Sequence, residues 1–212
     1  MLVGKLITFE GIDGAGKSTQ IQLLEAEFNK LGILYKTFRE PGGTDLSEKI
    51  REILLDKDNL ELYSNAESLL FAAARAQLIV EQIKPAIAKG ECVICDRFTD
   101  STIAYQGHGR GLNIKNLEII NNIATEGLTP DITFILDIDP GKASERMRAE
   151  SPDRMEAGGI DFFQKIRQGY HQIMEQFPYR CIVINAEQSQ ENISKEINQI
   201  IMKRFKEELT CS

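Results

Sequence analysis

Short apolar runs alternate with longer stretches of helical spacing along most of this chain. Leu6-Ile7-Thr8-Phe9-Glu10, Ile33 to Arg39, Cys92 to Asp96, Ile132 to Ile138 and Cys181 to Ile184 are rich in β-branched and other apolar residues and read as strands. Between them, apolar residues recur every three or four positions over Lys17 to Leu31, Asp45 to Leu55, Ser64 to Ala88, Asn113 to Glu126, Pro140 to Ala149, Ile160 to Gln176 and Ser189 to Glu208. Local signals agree with these bounds. Gly32 stops the first helix, Ser64 and Glu67 have capping-box spacing, Asn113 can cap, and Pro140 suits a first turn. Five nearly continuous apolar strands separated by helices predict an α/β fold, a five-stranded parallel sheet flanked by helices on both faces. No linker or repeat divides residues 1–212, so one domain is expected. The charged, glycine-containing stretch from Glu150 to Gly159 reads as the core of a short lid, about 146–160.

Composition narrows the class. With 212 residues, 42% hydrophobic and 27% charged, the chain is an ordinary globule rather than a disordered or fibrous one. Its formal charge of −7 argues against a nucleic-acid coat but leaves room for a local basic pocket. No apolar run reaches the ~18 residues of a membrane span, and the start, Met1 to Lys5, lacks a signal peptide's layout. A soluble cytoplasmic protein, with no membrane or nucleic-acid partner, is expected. Cys92 and Cys95 form a CxxC, but residues three apart on a strand face opposite ways, which predicts core thiols rather than a metal or redox pair.

The densest chemistry lies between the first strand and first helix. Gly11-Ile12-Asp13-Gly14-Ala15-Gly16-Lys17-Ser18 fits G-x-x-x-x-G-K-[ST] in full and stands where a phosphate-binding loop must stand. Its glycines let backbone N–H groups wrap a phosphate at a helix N-terminus. Lys17 would reach the β- and γ-phosphates of ATP and Ser18 would ligate Mg²⁺, with Thr19 closing the site. The Asn-Lys-x-Asp motif of a GTPase switch is absent. Instead the chain carries separated arginines, Arg39, Arg51, Arg75, Arg97, Arg110, Arg146, Arg148 and Arg154. Several fall near the carboxyl ends of strands, where open α/β sheets bind ligands. An acceptor that is itself a phosphate needs no base but does need cations, and guanidinium groups suit that work. The pattern therefore favours a nucleotide kinase. A deoxynucleoside kinase, with Glu40 or Asp13 as base, and a nucleotide-dependent switch stay open on the residues alone.

Four segments carry a closer likeness: Phe9 to Thr19, Arg39-Glu40-Pro41-Gly42-Gly43-Thr44, Leu70 to Arg75, and Asp96-Arg97-Phe98-Thr99-Asp100-Ser101-Thr102-Ile103-Ala104-Tyr105-Gln106-Gly107. Asp153-Arg154 and Glu156 add a lid-like signature. The chain resembles thymidylate kinase, which implies a P-loop nucleoside monophosphate kinase fold and transfer of the ATP γ-phosphoryl to dTMP with Mg²⁺. On that resemblance Arg97 would bridge donor and acceptor phosphates, Arg39 and Arg51 would serve the acceptor side, and Asp13 would lie near the acceptor sugar and phosphate. Phe71 would stack on thymine and Arg75 would reach its O4 edge. Ser101, Thr102 and Gln106 would read the remaining edge, Tyr105 would crowd the 2′ position, and Glu40 would line the pocket. Arg146 would lie against adenine, and Asp96 would hold Mg²⁺ through water. Ala15 stands where some members carry a loop arginine, so Arg148 or Arg154 would supply a catalytic cation from the lid. A homodimer packed through helices is also implied, and the Leu69, Leu70, Ala73, Ala76, Val80 face of the Ser64 to Ala88 helix is a candidate for core or interface.

Overall fold

Strands apolar on both faces need cover on both faces, and the chain provides it. A computed structural model describes residues 4–59, 61–147, 155 and 158–210. Strands β1 (Leu6–Glu10), β2 (Tyr35–Arg39), β3 (Cys92–Asp96), β4 (Ile132–Asp137) and β5 (Cys181–Asn185) form one sheet in the order β2-β3-β1-β4-β5. Every neighbouring pair is parallel, as the alternation of strands and helices predicts. All five residues of the central strand β1 are buried.

Helices α1 (Lys17–Leu31), α2 (Asp45–Leu55), α3 (Ser64–Leu78), α4 (Lys84–Ala88), α5 (Thr99–Thr102), α6 (Ile114–Thr125), α7 (Pro140–Met147), α8 (Gly159–Gln176) and α9 (Gln190–Thr210) complete the order. Alternation along the strands divides the core in two. Ile7, Phe9, Cys92 and Ile94 join Leu24, Ile166, Tyr170 and Ile197 on one side. Leu6, Val93 and Cys95 join Leu78, Ile79, Ile83 and Phe98 on the other. Cys92 and Cys95 thus face apart, and together with Cys181 they are buried cysteines outside any disulfide among the described residues.

The structure corrects two local expectations. The Ser64/Glu67 capping box does not form: Tyr63 is the N-cap, and the Glu67 side chain turns inward to Gln106. Nor is Ser64 to Ala88 one uniform helix. A π-helical turn, Ile79–Ile83, separates α3 from α4, and the Lys84 N–H bonds the Ile79 carbonyl. Pro85, which has no N–H to give the preceding turn, follows at once. A second π-helical stretch, Ile103–Gly109, extends α5 and has no counterpart in the sequence pattern. The lid expected at about 146–160 lies largely outside the described residues, and Arg148 and Arg154 with it.

Candidate active site

β1 and β3 are neighbours, so the loops leaving their carboxyl ends build two sides of one crevice. After β1, the loop from Gly11 packs tightly against the protein. A Cβ at Gly11 (φ +131°) would stand 2.5 Å from the Leu136 carbonyl oxygen, and one at Gly14 (φ +79°) 2.6 Å from that of Ala143. Only glycine fits such approaches. Gly16, in the left-handed region, leads into α1. Lys17 Nζ donates to the Gly11 and Ile12 carbonyls at 3.2 and 3.1 Å and lies 3.9 Å from Asp13. Burial and the nearby Arg97 cation both push its pKa down, with Asp13 opposing.

The chain leaves β3 through Arg97, a non-glycine residue at φ +73° whose N–H donates to the Phe9 carbonyl. That conformation costs roughly 1–2 kcal/mol, and strain of this kind clusters at functional sites. It lays the guanidinium across the crevice. Nη2 donates to Asp13 (2.5 Å) and the Tyr105 hydroxyl (3.0 Å), and Nη1 to the Gly11 carbonyl (3.0 Å) and Ser101 Oγ (3.1 Å). The Tyr105 hydroxyl donates to the second oxygen of Asp13, and Arg97 sits 4.8 Å from the centre of its ring. Burial opposes a charge on Asp13, but Arg97 and Lys17 outweigh it and hold its pKa at about 2.

Beneath Arg97 lies Glu10, fully buried. Its carboxylate accepts from the Phe98 N–H (2.7 Å), Ser101 Oγ (2.6 Å) and the Tyr170 hydroxyl (2.8 Å), tying the turn after β3 to α8. Burial and the charge of Asp100 raise its pKa to about 7, against the pull of Arg97 and these hydrogen bonds. Ser18 Oγ donates to Asp96 Oδ2 at 3.3 Å, while the buried Asp96 Oδ1 has no hydrogen-bond partner among the described residues. A hydroxyl and a carboxylate with an unused oxygen at a phosphate-binding loop fit a hard divalent cation, which takes oxygen ligands.

Two cavities meet here. The larger, about 690 Å³, is lined by the loop from Asp13 to Gln20, Arg39, Asp96, Arg146, Ala186 and Gln188. The smaller, about 100 Å³, is lined by Pro41, Leu55, Phe71, Arg75, Ser101, Thr102, Tyr105, Gln106 and Met155. Asp13, Glu40, Arg51 and Arg97 border both. Arg75, 2% exposed, is fixed from several directions: Nε donates to Glu40 (2.6 Å), Nη1 to Asn121 Oδ1 (2.8 Å) and Thr102 Oγ1 (3.1 Å), Nη2 to the Phe98 carbonyl (3.1 Å). Arg51 donates to the Pro41 carbonyl, Arg146 to the Ala186 carbonyl, and Arg39 pairs with Glu48. Thus the described residues expected at the site converge on one crevice, Arg39 on the side of the larger cavity. From the sequence, Glu10, Asn121 and Tyr170 carry no assigned role, and Glu67 only a helix-capping one. Glu10 ends an apolar strand, and an acid in that place was the available signal; the other three look like ordinary helix residues.

A family model for thymidylate kinase matches residues 9–197. The chain belongs to the thymidylate kinase family. It is 49% identical to a thymidylate kinase of Caldanaerobacter subterraneus subsp. tengcongensis over 87% of this chain and 88% of that one. A thymidylate kinase of a Thermoanaerobacter species is 45% identical over 94% and 98% of the two chains. The crystal structure of thymidylate kinase from Ehrlichia chaffeensis superposes with a TM-score of 0.76 at 36% identity, covering 93% and 98%. The chain is therefore a phosphotransferase, and the two cavities suit that division of labour. The larger carries the phosphate-binding loop, and the smaller is lined by an aromatic ring, Phe71, and by polar groups.

Proposed function

We propose that residues 1–212 act as one kinase unit, with a lid at about 146–160, in which the two cavities hold ATP and dTMP end to end. The reaction is ATP-dependent phosphorylation of dTMP to dTDP. An oxygen of the dTMP phosphate attacks the γ-phosphorus, the bond from that phosphorus to the β,γ-bridging oxygen breaks, and ADP leaves. The attacking oxygen is already anionic, so no base is required.

The observation that carries this reading is the shared wall: Arg97 and Arg51 border both cavities and so stand where two phosphates would meet. Arg97 bridges the phosphates, Arg39 and Arg51 draw in the acceptor, and Lys17 with the loop N–H groups from Gly11 to Thr19 holds the donor. Ser18 and Asp96 would hold Mg²⁺, which would supply charge that neutralises the phosphates. Arg146 packs on adenine. Phe71 stacks on thymine, Arg75 donates to O4, Ser101, Thr102 and Gln106 meet the remaining edge, and Tyr105 excludes a 2′-hydroxyl. Arg154, with Arg148, delivers the remaining cation from the lid.

Transfer to a nucleoside hydroxyl fits less well, because it would leave the guanidinium groups of Arg51 and Arg97, which border both cavities, with no acceptor phosphate to hold. Asp13, with a pKa of about 2, is a weak base, and one oxygen of Glu40 is engaged by Arg75 at 2.6 Å. A homodimer is supported by an outward apolar stripe: Leu69 and Val80 are 55% and 56% exposed, and Ile119 and Ile123 on α6 59% and 70%. Among the described residues no helix is long and apolar enough to cross a membrane, and a soluble cytoplasmic dimer is the assembly we favour. The test is ADP release with dTMP, dUMP, dCMP and thymidine as acceptors. Turnover with dTMP should exceed all others and thymidine should give none above background; acceptor-independent ADP release, or transfer to thymidine, would refute the reading.

A further inference from the structure

Glu67 has the spacing of a helix-capping residue and does something else. It is 1% exposed, its Oε1 accepts from Gln106 Nε2 at 2.8 Å, and its Oε2 lies 3.5 Å from Arg110 Nη2. A carboxylate only accepts, whereas a glutamine amide can turn either its donor or its acceptor toward a neighbour. Pairing with Glu67 removes that choice: the NH2 group of Gln106 is committed to α3. Gln106 lines the small cavity, and among the described residues no donor meets its Oε1. Arg75, which also lines this cavity, can only donate, and its own orientation is held by Glu40 and Asn121. The lining of the cavity therefore includes both a fixed donor and a fixed acceptor.

Thymine presents the complement, the acceptor O4 beside the donor N3–H. Cytosine inverts both, with a donor amino group at C4 and an acceptor N3. We propose that Glu67 is a positioning residue for base selectivity: by holding the Gln106 amide in one orientation it makes the pocket accept an N3–H pyrimidine monophosphate and reject cytosine. The inference rests on Gln106 reading the base edge. Its energetic logic is that a site built to hydrogen-bond one pattern leaves buried groups unpaired with the other.

Kinetics of three variants against dTMP and dCMP test it. In Glu67→Gln the new amide can donate or accept, so Gln106 is free to turn. KM for dTMP should rise about tenfold, the scale of one hydrogen bond, and the preference for dTMP over dCMP should fall by about the same factor. Both kcat with dTMP and KM for ATP should stay within about twofold, since only base pairing is altered. Gln106→Ala should raise KM for dTMP similarly, and adding Glu67→Gln to it should cost nothing more. The exchanged pair Glu67→Gln/Gln106→Glu should recover the preference for dTMP, because the carboxylate at position 106 again only accepts. If Gln106→Ala raises KM while Glu67→Gln leaves KM and selectivity unchanged, Gln106 is a reader and the positioning role is wrong. If Gln106→Ala changes neither, the reader assignment fails and takes the proposal with it. Equal losses on dTMP and dCMP, additive losses in the double variant, or an exchanged pair without selectivity would each show a merely structural role. Should Glu67→Gln not fold, the exchanged pair decides.

Discussion

Glu10 makes the stability of the fold depend on pH in a direction opposite to that of a salt-bridged carboxylate. Burial first, and Asp100 second, raise its pKa from 4.5 to about 7. A folded-state pKa above the unfolded one means that the native protein binds the proton more tightly. The stabilisation is fully present below pH 4.5 and is lost as pH climbs through 7. A pKa moved from 4.5 to about 7 is worth about 3.5 kcal/mol in all, at about 1.4 kcal/mol per pH unit, and about 2 to 3 kcal/mol of it should leave the unfolding free energy between pH 5 and pH 8. Glu10→Gln keeps the shape and an acceptor for the Phe98 N–H but cannot ionise. Its stability relative to the natural chain should therefore rise by that amount on going from pH 5 to pH 8, whatever the offset at pH 5. Urea unfolding of both proteins at pH 5, 6, 7 and 8 measures the difference. A gap between them that stays level across this range would show that Glu10 titrates alike in the folded and unfolded chains, and the account of the clasp beneath Arg97 would be wrong.

Arg180 donates to both oxygens of Asp100 at 2.6 and 2.8 Å and lies 4.6 Å from the centre of the Phe177 ring. Arg180→Ala strands a buried carboxylate and should cost about 3–5 kcal/mol in urea unfolding at pH 7; a cost under about 1 kcal/mol would mean water reaches Asp100 freely. Asp96→Asn removes the carboxylate whose Oδ1 has no partner among the described residues. It should raise the Mg²⁺ concentration for half-maximal turnover by about 10–100-fold, with KM for dTMP held. An unchanged Mg²⁺ titration would remove Asp96 from the metal site.

The sheet was legible because its signal is one-dimensional. Ile94 and Phe134 lie in runs whose periodicity needs no distant partner to be read, and Gly11 to Ser18 fixes its own surroundings. The convergence of Arg39, Arg97 and Arg146 could be inferred only as a class, from their places at or after strand ends, and Arg75, inside a helix, found a place only through the family resemblance. What escaped the sequence depends on where a side chain turns. Glu67 satisfies a capping pattern, yet Tyr63 takes the cap and the carboxylate finds Gln106 instead. The π-helical stretch Ile103–Gly109 contains Gly107 and Gly109, which weaken any helical signal there. Asn121 and Tyr170 look like any polar or aromatic residue on a helix, and their value lies wholly in partners at sequence separations of 46 and 160.

Those separations have a consequence for how activity arises. The bridging guanidinium is oriented by Asp13, 84 positions before it, and by Tyr170, 73 positions after it, while Glu10 beneath is clasped from the far end of the chain. Contacts that close such long loops form late, after local helices are in place. A chain still assembling would show much of its helical signal with no organised phosphate bridge, so recovery of turnover on refolding marks the docking of α8 rather than collapse of the first helix.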